Sequence, residues 1–253
     1  MFRFVCISDT HGLHRKMQHD IGSLINPNMD NYLIHAGDIT NAGKEYDVSD
    51  FISWFQNIKG FDKKIFCCGN HDLSFESKPS WLQHYINDEN LWQSDVIYLQ
   101  DNYFKINSPE FSRPIKIYGS PWQPTFFNWA FNLPRRGDEL RNKWNMIPDD
   151  TDILITHGPP HGILDFVADK RYNESNNVGC EILLERVLEL KPLIHVFGHI
   201  HGARGVEVTP DTTFVNPCIC TEGYAPIYKP IVIDLTEEDG KFIVKHIDYE
   251  SSM

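Results

Sequence analysis

Five short stretches of this chain place metal-ligand side chains directly after apolar runs. They are Asp9 with His11, Asp38, Asn70 with His71 and Asp72, His157, and His199 with His201. Neutral imidazole is the commonest metal ligand among side chains. The pair His199 and His201 follows Val196-Phe197 and a breaking Gly198. If that segment is extended, residues two apart point the same way, so both imidazoles face one site while Ile200 turns back into the core. The donors Asp9, His11, Asp38, Asn70, His157, His199 and His201 are too many for one tetrahedral zinc. They suit two ions about 3.5–4 Å apart that share one carboxylate. Asp38 is the natural bridge, because a carboxylate has two oxygens. Mixed imidazole and oxygen donors suit manganese, iron or zinc, and the absence of thiolate argues against copper or iron–sulfur.

Each stretch alone has a plainer reading. Asp after a strand is often a helix N-cap, and a cap is the reading adopted for Asp72. Gly-Asp and Gly-Asn are ordinary turn pairs. The joint pattern decides, since turn accidents would not all fall at strand ends with ligand-type residues.

The elements that must position these residues are legible as apolar runs. Phe2–Ile7, Tyr32–Ala36, Lys63–Cys68, Asp152–Thr156 and the run ending at Phe197 read as strands. Val48, Phe51, Ile52, Phe55 and Ile58 fall at helical spacing, so strand, helix and strand form a right-handed unit with parallel strands. Sites in such sheets form beyond the carboxyl ends of the strands. The spacing predicts further helices over 81–91, 140–146 and from Gly179. Val206–Val208, Thr213–Val215, Ile231–Ile233 and Phe242–Val244 read as strands of a second sheet. The segment holding Trp122, Phe126, Phe127, Trp129 and Phe131 reads as core and loop packing. The polar stretch 165–178 reads as an exposed loop. With no linker, repeat or low-complexity tract, the expectation is an α/β fold in one domain, residues 1–253. Two packed mixed sheets would be flanked by helices.

Composition narrows the partners. A formal charge of −12 argues against tracking extended nucleic acid, which rests on many Lys and Arg contacts to phosphate. Lys170, Arg171 and Arg204 are taken as solvated. The six cysteines form no CxxC pair and read as reduced thiols. Met1–Ser8 runs into Asp9 without a leader's apolar stretch. No apolar run approaches the roughly 18–20 residues of a membrane span. A cytoplasmic protein without a membrane is expected.

The motif series resembles that of the calcineurin-like metallophosphoesterases: Asp-x-His, Gly-Asp, Gly-Asn-His-Asp, His and Gly-His-x-His, in this order from Asp9 to His201. Arg3–His11, Ile97–Asp101, Phe131–Arg135 and Thr156–Pro160 are similar to the brain-type metallophosphoesterase-domain proteins, which are related to class III cyclic-nucleotide phosphodiesterases. The resemblance implies a four-layer sandwich. It implies a first ion on Asp9, His11, Asp38 and His201, and a second on Asp38, Asn70, His157 and His199. His71 would sit near the leaving-group oxygen. Some brain-type proteins carry Gly at the position of His199, where this chain keeps the full set. The function expected is a phosphodiesterase acting on cyclic or small nucleotides through a hydroxide shared by two divalent ions, most simply manganese. A phosphomonoesterase or nucleotide pyrophosphatase is the rival enzyme, and a weakly active nucleotide-binding scaffold the rival from another class.

Overall fold

Strands that alternate two apolar faces need cover on both sides, and that requirement builds the layers here. The computed structural model describes residues 1–82, 95–168 and 177–247. In Phe2–Ile7 (β1), Phe2, Phe4 and Cys6 face one core and Val5 and Ile7 another. Asp30–Ala36 (β2) pairs parallel to β1, Lys63–Cys67 (β3) parallel to β2, and Val96–Tyr98 (β4) parallel to β3. Between β2 and β3 runs Glu45–Asn57 (α1), with Val48, Phe51, Ile52 and Phe55 buried. Burying such side chains contributes about 1.5–3 kcal/mol each, which holds the helix on the sheet. Leu73–Ser77 (α2) follows β3.

The second sheet is also six-stranded. Its members are Asn102–Ile106 (β5), Ile115–Ser120 (β6), Ile153–Thr156 (β9), Ile194–Val196 (β10), Gly205–Val208 (β11) and Thr213–Asn216 (β12), in the order β11-β12-β10-β9-β6-β5. The four inner strands are parallel and the two edges antiparallel. Between β6 and β9, Gln123–Pro124 (β7) and Asn132–Leu133 (β8) form a small parallel pair, and Asp138–Asn145 (α3) follows. Glu181–Leu190 (α4) links β9 to β10. The sheets meet through Phe4, Ile34 and Ile65 on one side and Ile117, Ile155 and Val215 on the other. Leu140 and Trp144 of α3 pack with Leu183 and Val187 of α4 on the outer face. The result is an α/β fold of two mixed sheets flanked by helices, as the sequence implies.

One expectation is corrected. Ile231–Glu238 (β13) and Lys241–Ile247 (β14) do not join the second sheet; β13 lies antiparallel to β1, with β14 outside it. The reason is cover. Ile231, Ile233 and Leu235 enter the inter-sheet core while Val232 enters the outer one, and the place beside β1 buries both faces. The expected helix 81–91 falls outside the described residues beyond Leu82, as do Lys170 and Arg171. Among the described residues no helix is long and apolar enough to cross a membrane.

Candidate metal centre

The carboxyl ends of β1, β2, β3, β9 and β10 converge at one end of the sandwich. There Asp9 N–H donates to the Gly37 carbonyl at 2.9 Å and His11 N–H to the Asp38 carbonyl at 2.9 Å, lacing the loops after β1 and β2. Gly198 N–H donates to the His157 carbonyl at 2.8 Å, joining the loops after β9 and β10. The glycines of the motifs are steric needs. A Cβ on Gly69 would lie 2.3 Å from Asp38 Oδ1, and one on Gly198 would lie 2.1 Å from Asp9 Oδ2. Asp9, His11, Asp38 and His199 all have positive φ, at 53°, 46°, 54° and 68°. Such backbone is costly for side-chain-bearing residues and persists only where surroundings enforce it.

All seven expected donors come together. Asp38 has Oδ1 3.4 Å from His157 Nε2 and Oδ2 3.7 Å from His11 Nε2. His201 Nε2 lies 3.3 Å from Asp9 Oδ1 and 3.2 Å from His11 Nε2. His157 Nε2 lies 3.0 Å from Asn70 Oδ1. Asp38, His157 and His199 place ligand atoms within 4.8 Å of one another, and so do His11, Asp38 and His71.

The outer ring nitrogens reveal what this arrangement accommodates. His157 Nδ1 donates to the Ala36 carbonyl at 3.1 Å and His201 Nδ1 to the Thr221 carbonyl at 3.0 Å. Each Nε2 therefore faces the centre, among oxygens that only accept. Something positive must sit between them. Without a metal it is a proton. Burial works against that proton, but Asp38 holds His157 at about 9, and Asp9 does the same for His201, also about 9. Burial likewise opposes ionisation of Asp9 and Asp38, yet His201 holds Asp9, and His157 holds Asp38, well below the usual carboxylate range. Burial pushes His11 down to about 4 and His199 to about 3, so both are neutral donors. The donor set fits divalent cations, with backbone carbonyls orienting the histidines as partners of metal-bound imidazoles do.

His71 is held differently. Its backbone N–H donates to Asp38 Oδ1 at 2.8 Å and its Nδ1 to the Asn41 carbonyl at 2.8 Å. Trp129 stacks on the ring at 4.0 Å. Nε2 is left on the cleft side, 4.0 Å from Asp38 Oδ2. The aromatic segment thus does more than pack. Trp129 braces His71, Phe126 meets His199 edge-on at 5.4 Å, and Ala130 N–H donates to the Asn70 carbonyl at 3.0 Å. Asn132 pins the loop through its side-chain amide to the Phe127 and Trp129 carbonyls.

Two further readings change. Asp72 makes no side-chain cap to α2. Its carboxylate accepts from the backbone N–H groups of Ile39, Thr40 and Gly69 and from the Thr40 hydroxyl, at 2.8–3.2 Å. It ties the loop after β2 to the loop after β3, a bond between distant segments that turn statistics do not encode. The loop carrying His199 and His201 is not extended, since His199 is left-handed and His201 opens a single helical turn. Ile200 is nonetheless buried. Arg204 stays away from the centre and donates to the Lys229 carbonyl at 2.6 Å.

Sequence reasoning missed two residues. Tyr224, at the cleft mouth, lies edge-on to His11 at 4.7 Å. Cys218 touches Asp9, its Sγ 2.9 Å from Oδ2. The available signal was its place just after β12, at a strand end like the others. The centre opens into a cleft of about 870 Å³, at the upper end of the sizes small-molecule sites take.

Paired mixed sheets with imidazoles and carboxylates at their converging strand ends define a metallophosphoesterase. The calcineurin-like phosphoesterase profile matches residues 2–203, and the chain belongs to that family. The family uses a dinuclear divalent metal site, and the ligand groups for one are present. The chain is 42% identical over 251 residues to Metallophosphoesterase domain-containing protein 1 of Homo sapiens, covering 92% of this chain and 71% of that protein. Among solved structures, TT1561 of Thermus thermophilus aligns with a TM-score of 0.58 at 15% identity, over 96% of this chain and 98% of that one. The phosphopantetheinyl hydrolase of Mycobacterium tuberculosis aligns at 0.55 and 14%, over 87% and 90%. At these identities the two structures share the fold.

Proposed function

We propose that this phosphoesterase is a phosphodiesterase for cyclic or small nucleotides, and that Asp38 would be shared by the ligand groups of two divalent ions, most simply manganese. The observation that carries the reading is the split of Asp38. Oδ1 faces His157 and Oδ2 faces His11, while His71, braced by Asn41 and Trp129, turns Nε2 to the same opening. Asp9, His11 and His201 would complete one ion site; Asn70, His157 and His199 would complete the other. When bound, such ions supply an activated water and neutralise phosphate charge.

The protein's own residues do the rest. Asp38 and the loop hydrogen bonds fix the distance between the two ligand groups. As the imidazolium, His71 would give its Nε2 proton to the departing alkoxide, and the Asn41 carbonyl holds the Nδ1 proton, so the ring is left as the neutral Nδ1–H form. The departing alkoxide of a phosphoester needs that proton. The cleft, whose lining includes Phe126 and Tyr224, is large enough for a nucleoside-sized group.

Residues 1–253 act as one catalytic domain in this reading. The charge of −12 disfavours extended nucleic acid and leaves small phosphoesters as substrates. All six cysteines are free and buried, which supports a reducing compartment such as the cytoplasm. The test is a screen of the manganese-loaded protein against cyclic nucleotides, dinucleotides, a bis-aryl phosphodiester and an aryl phosphomonoester. Diesters should exceed the monoester in kcat/KM by about tenfold or more, equivalent to about 1.4 kcal/mol of transition-state preference. A monoester preference would replace the diesterase reading with a phosphomonoesterase.

A further inference from the structure

Cys218 reaches the centre from behind the ligands. It is fully buried, two residues past the end of β12. The chain places it through Ser8: Ser8 N–H donates to the Pro217 carbonyl at 3.2 Å and Ile219 N–H to the Ser8 carbonyl at 3.0 Å. Cys218 Sγ then lies 2.9 Å from Asp9 Oδ2, and the Ser8 hydroxyl donates to the sulfur at 3.6 Å. A carboxylate only accepts, so this close an approach needs the thiol hydrogen between sulfur and oxygen.

The remaining contacts of Asp9 show what this hydrogen bond does. His199 N–H is 3.1 Å from both carboxylate oxygens, and Oδ1 lies 3.3 Å from His201 Nε2. The thiol occupies Oδ2 and leaves Oδ1 turned to the centre. Asp9, His201 and Cys218 also place ligand atoms within 4.8 Å of one another, so a sulfur ligand is the alternative that the experiment must separate from a hydrogen-bonding thiol.

We propose that Cys218 is a positioning residue: its thiol fixes the rotation of the Asp9 carboxylate and thereby sets the affinity of the ion that Asp9 holds. This rests on the reading of Asp9 as a ligand. The Ser8 hydroxyl, Cys218 thiol and Asp9 carboxylate form a short donor chain, so the pose of a ligand just after β1 depends on a residue 209 positions away. Residues that orient metal ligands in this way typically change affinity by about 10–100-fold when removed.

The experiment compares wild type, Cys218→Ser, Cys218→Val and Asp9→Asn. Each metal-free protein is titrated calorimetrically with Mn²⁺, and the cobalt-loaded forms are examined by absorption. Cys218→Val fills the space without a donor and should weaken one of the two ions by about 10–100-fold, leaving the other unchanged. Cys218→Ser restores a donor and should recover most of the loss. Cys218→Ala serves the same reading if the valine does not fit. Wild-type protein should show no sulfur-to-cobalt charge-transfer band. Unchanged affinity in the Val and Ala variants, with an ion lost in Asp9→Asn, overturns this inference alone. Two ions retained in Asp9→Asn overturns the ligand reading of Asp9 and this inference with it. A charge-transfer band makes Cys218 a ligand and also overturns it.

Discussion

Loading the centre with metal should expel two protons near neutral pH. In the metal-free protein His157 and His201 both titrate at about 9, raised against burial by Asp38 and Asp9 respectively. His11 at about 4 and His199 at about 3 are already neutral. A metal takes the lone pair that the proton held, so the proton leaves. A group with a pKa of about 9 is roughly 97% protonated near pH 7.5, so the two imidazoles release about 1.9 protons there, about 1 near pH 9 and about 0.2 near pH 10, and any proton lost by an activated water adds to that count. The sign for folding follows from the same shift. Both histidines are raised above their ordinary value, so they stabilise the metal-free fold below about pH 6.5, and that contribution is lost as pH rises through about 9. The metal-free protein should therefore weaken on going alkaline while the loaded protein does not. Calorimetry of Mn²⁺ binding in buffers of different ionisation enthalpy gives the proton count directly. Release near zero around neutral pH would mean that the two imidazoles are neutral without metal, and the charge balance drawn between them and the carboxylates would be wrong.

Three substitutions probe the separate parts. His199→Gly removes a proposed ligand at φ 68° but keeps the backbone N–H to Asp9. Relief of about 1–2 kcal/mol of left-handed strain should leave the metal-free melting temperature equal or higher, while bound manganese falls from two ions towards one by metal analysis. His71→Ala should keep both ions and lose about 10²–10⁴-fold in turnover, more for poor leaving groups, in a series of aryl diesters. Asp72→Asn sets an amide against the N–H groups of Ile39 and Gly69. Two buried donors without acceptors cost about 2–6 kcal/mol in urea unfolding of the metal-free protein. Part of that is offset by removing a carboxylate that burial and Asp38 push up to a pKa of about 6. No change in the unfolding midpoint would remove Asp72 from the role of tying the two loops.

What could be read from the sequence is what local chemistry encodes. β1, β2, β3 and β9 appear as mainly apolar runs, and the candidate donors are legible because imidazoles and carboxylates at strand ends pack poorly otherwise. The rest depends on partners far along the chain. β13 looks like any half-buried strand until β1 is placed beside it. Asp72 looks like a cap because, Gly69 apart, its partners Ile39 and Thr40 are more than thirty residues away. Cys218 looks like a small hydrophobe because Asp9 is 209 residues away. The left-handed His199 could not be foreseen from an alternation rule that assumes extended backbone.

The strain and the charge at this centre have one cause. A pocket that holds two cations must hold two carboxylates and several lone pairs close together before the cations arrive, and Asp9 and Asp38 are both buried. The fold meets that cost in two ways. It keeps the backbones of the candidate donors Asp9, His11, Asp38 and His199 in left-handed conformations held by loop-to-loop hydrogen bonds, and it lets His157 and His201 carry protons that metals can replace. The first device keeps the ligands from collapsing onto one another; the second keeps the carboxylates ionised. The second is reversible and the first is not, so metal exchange should alter proton content and leave the loops where they are.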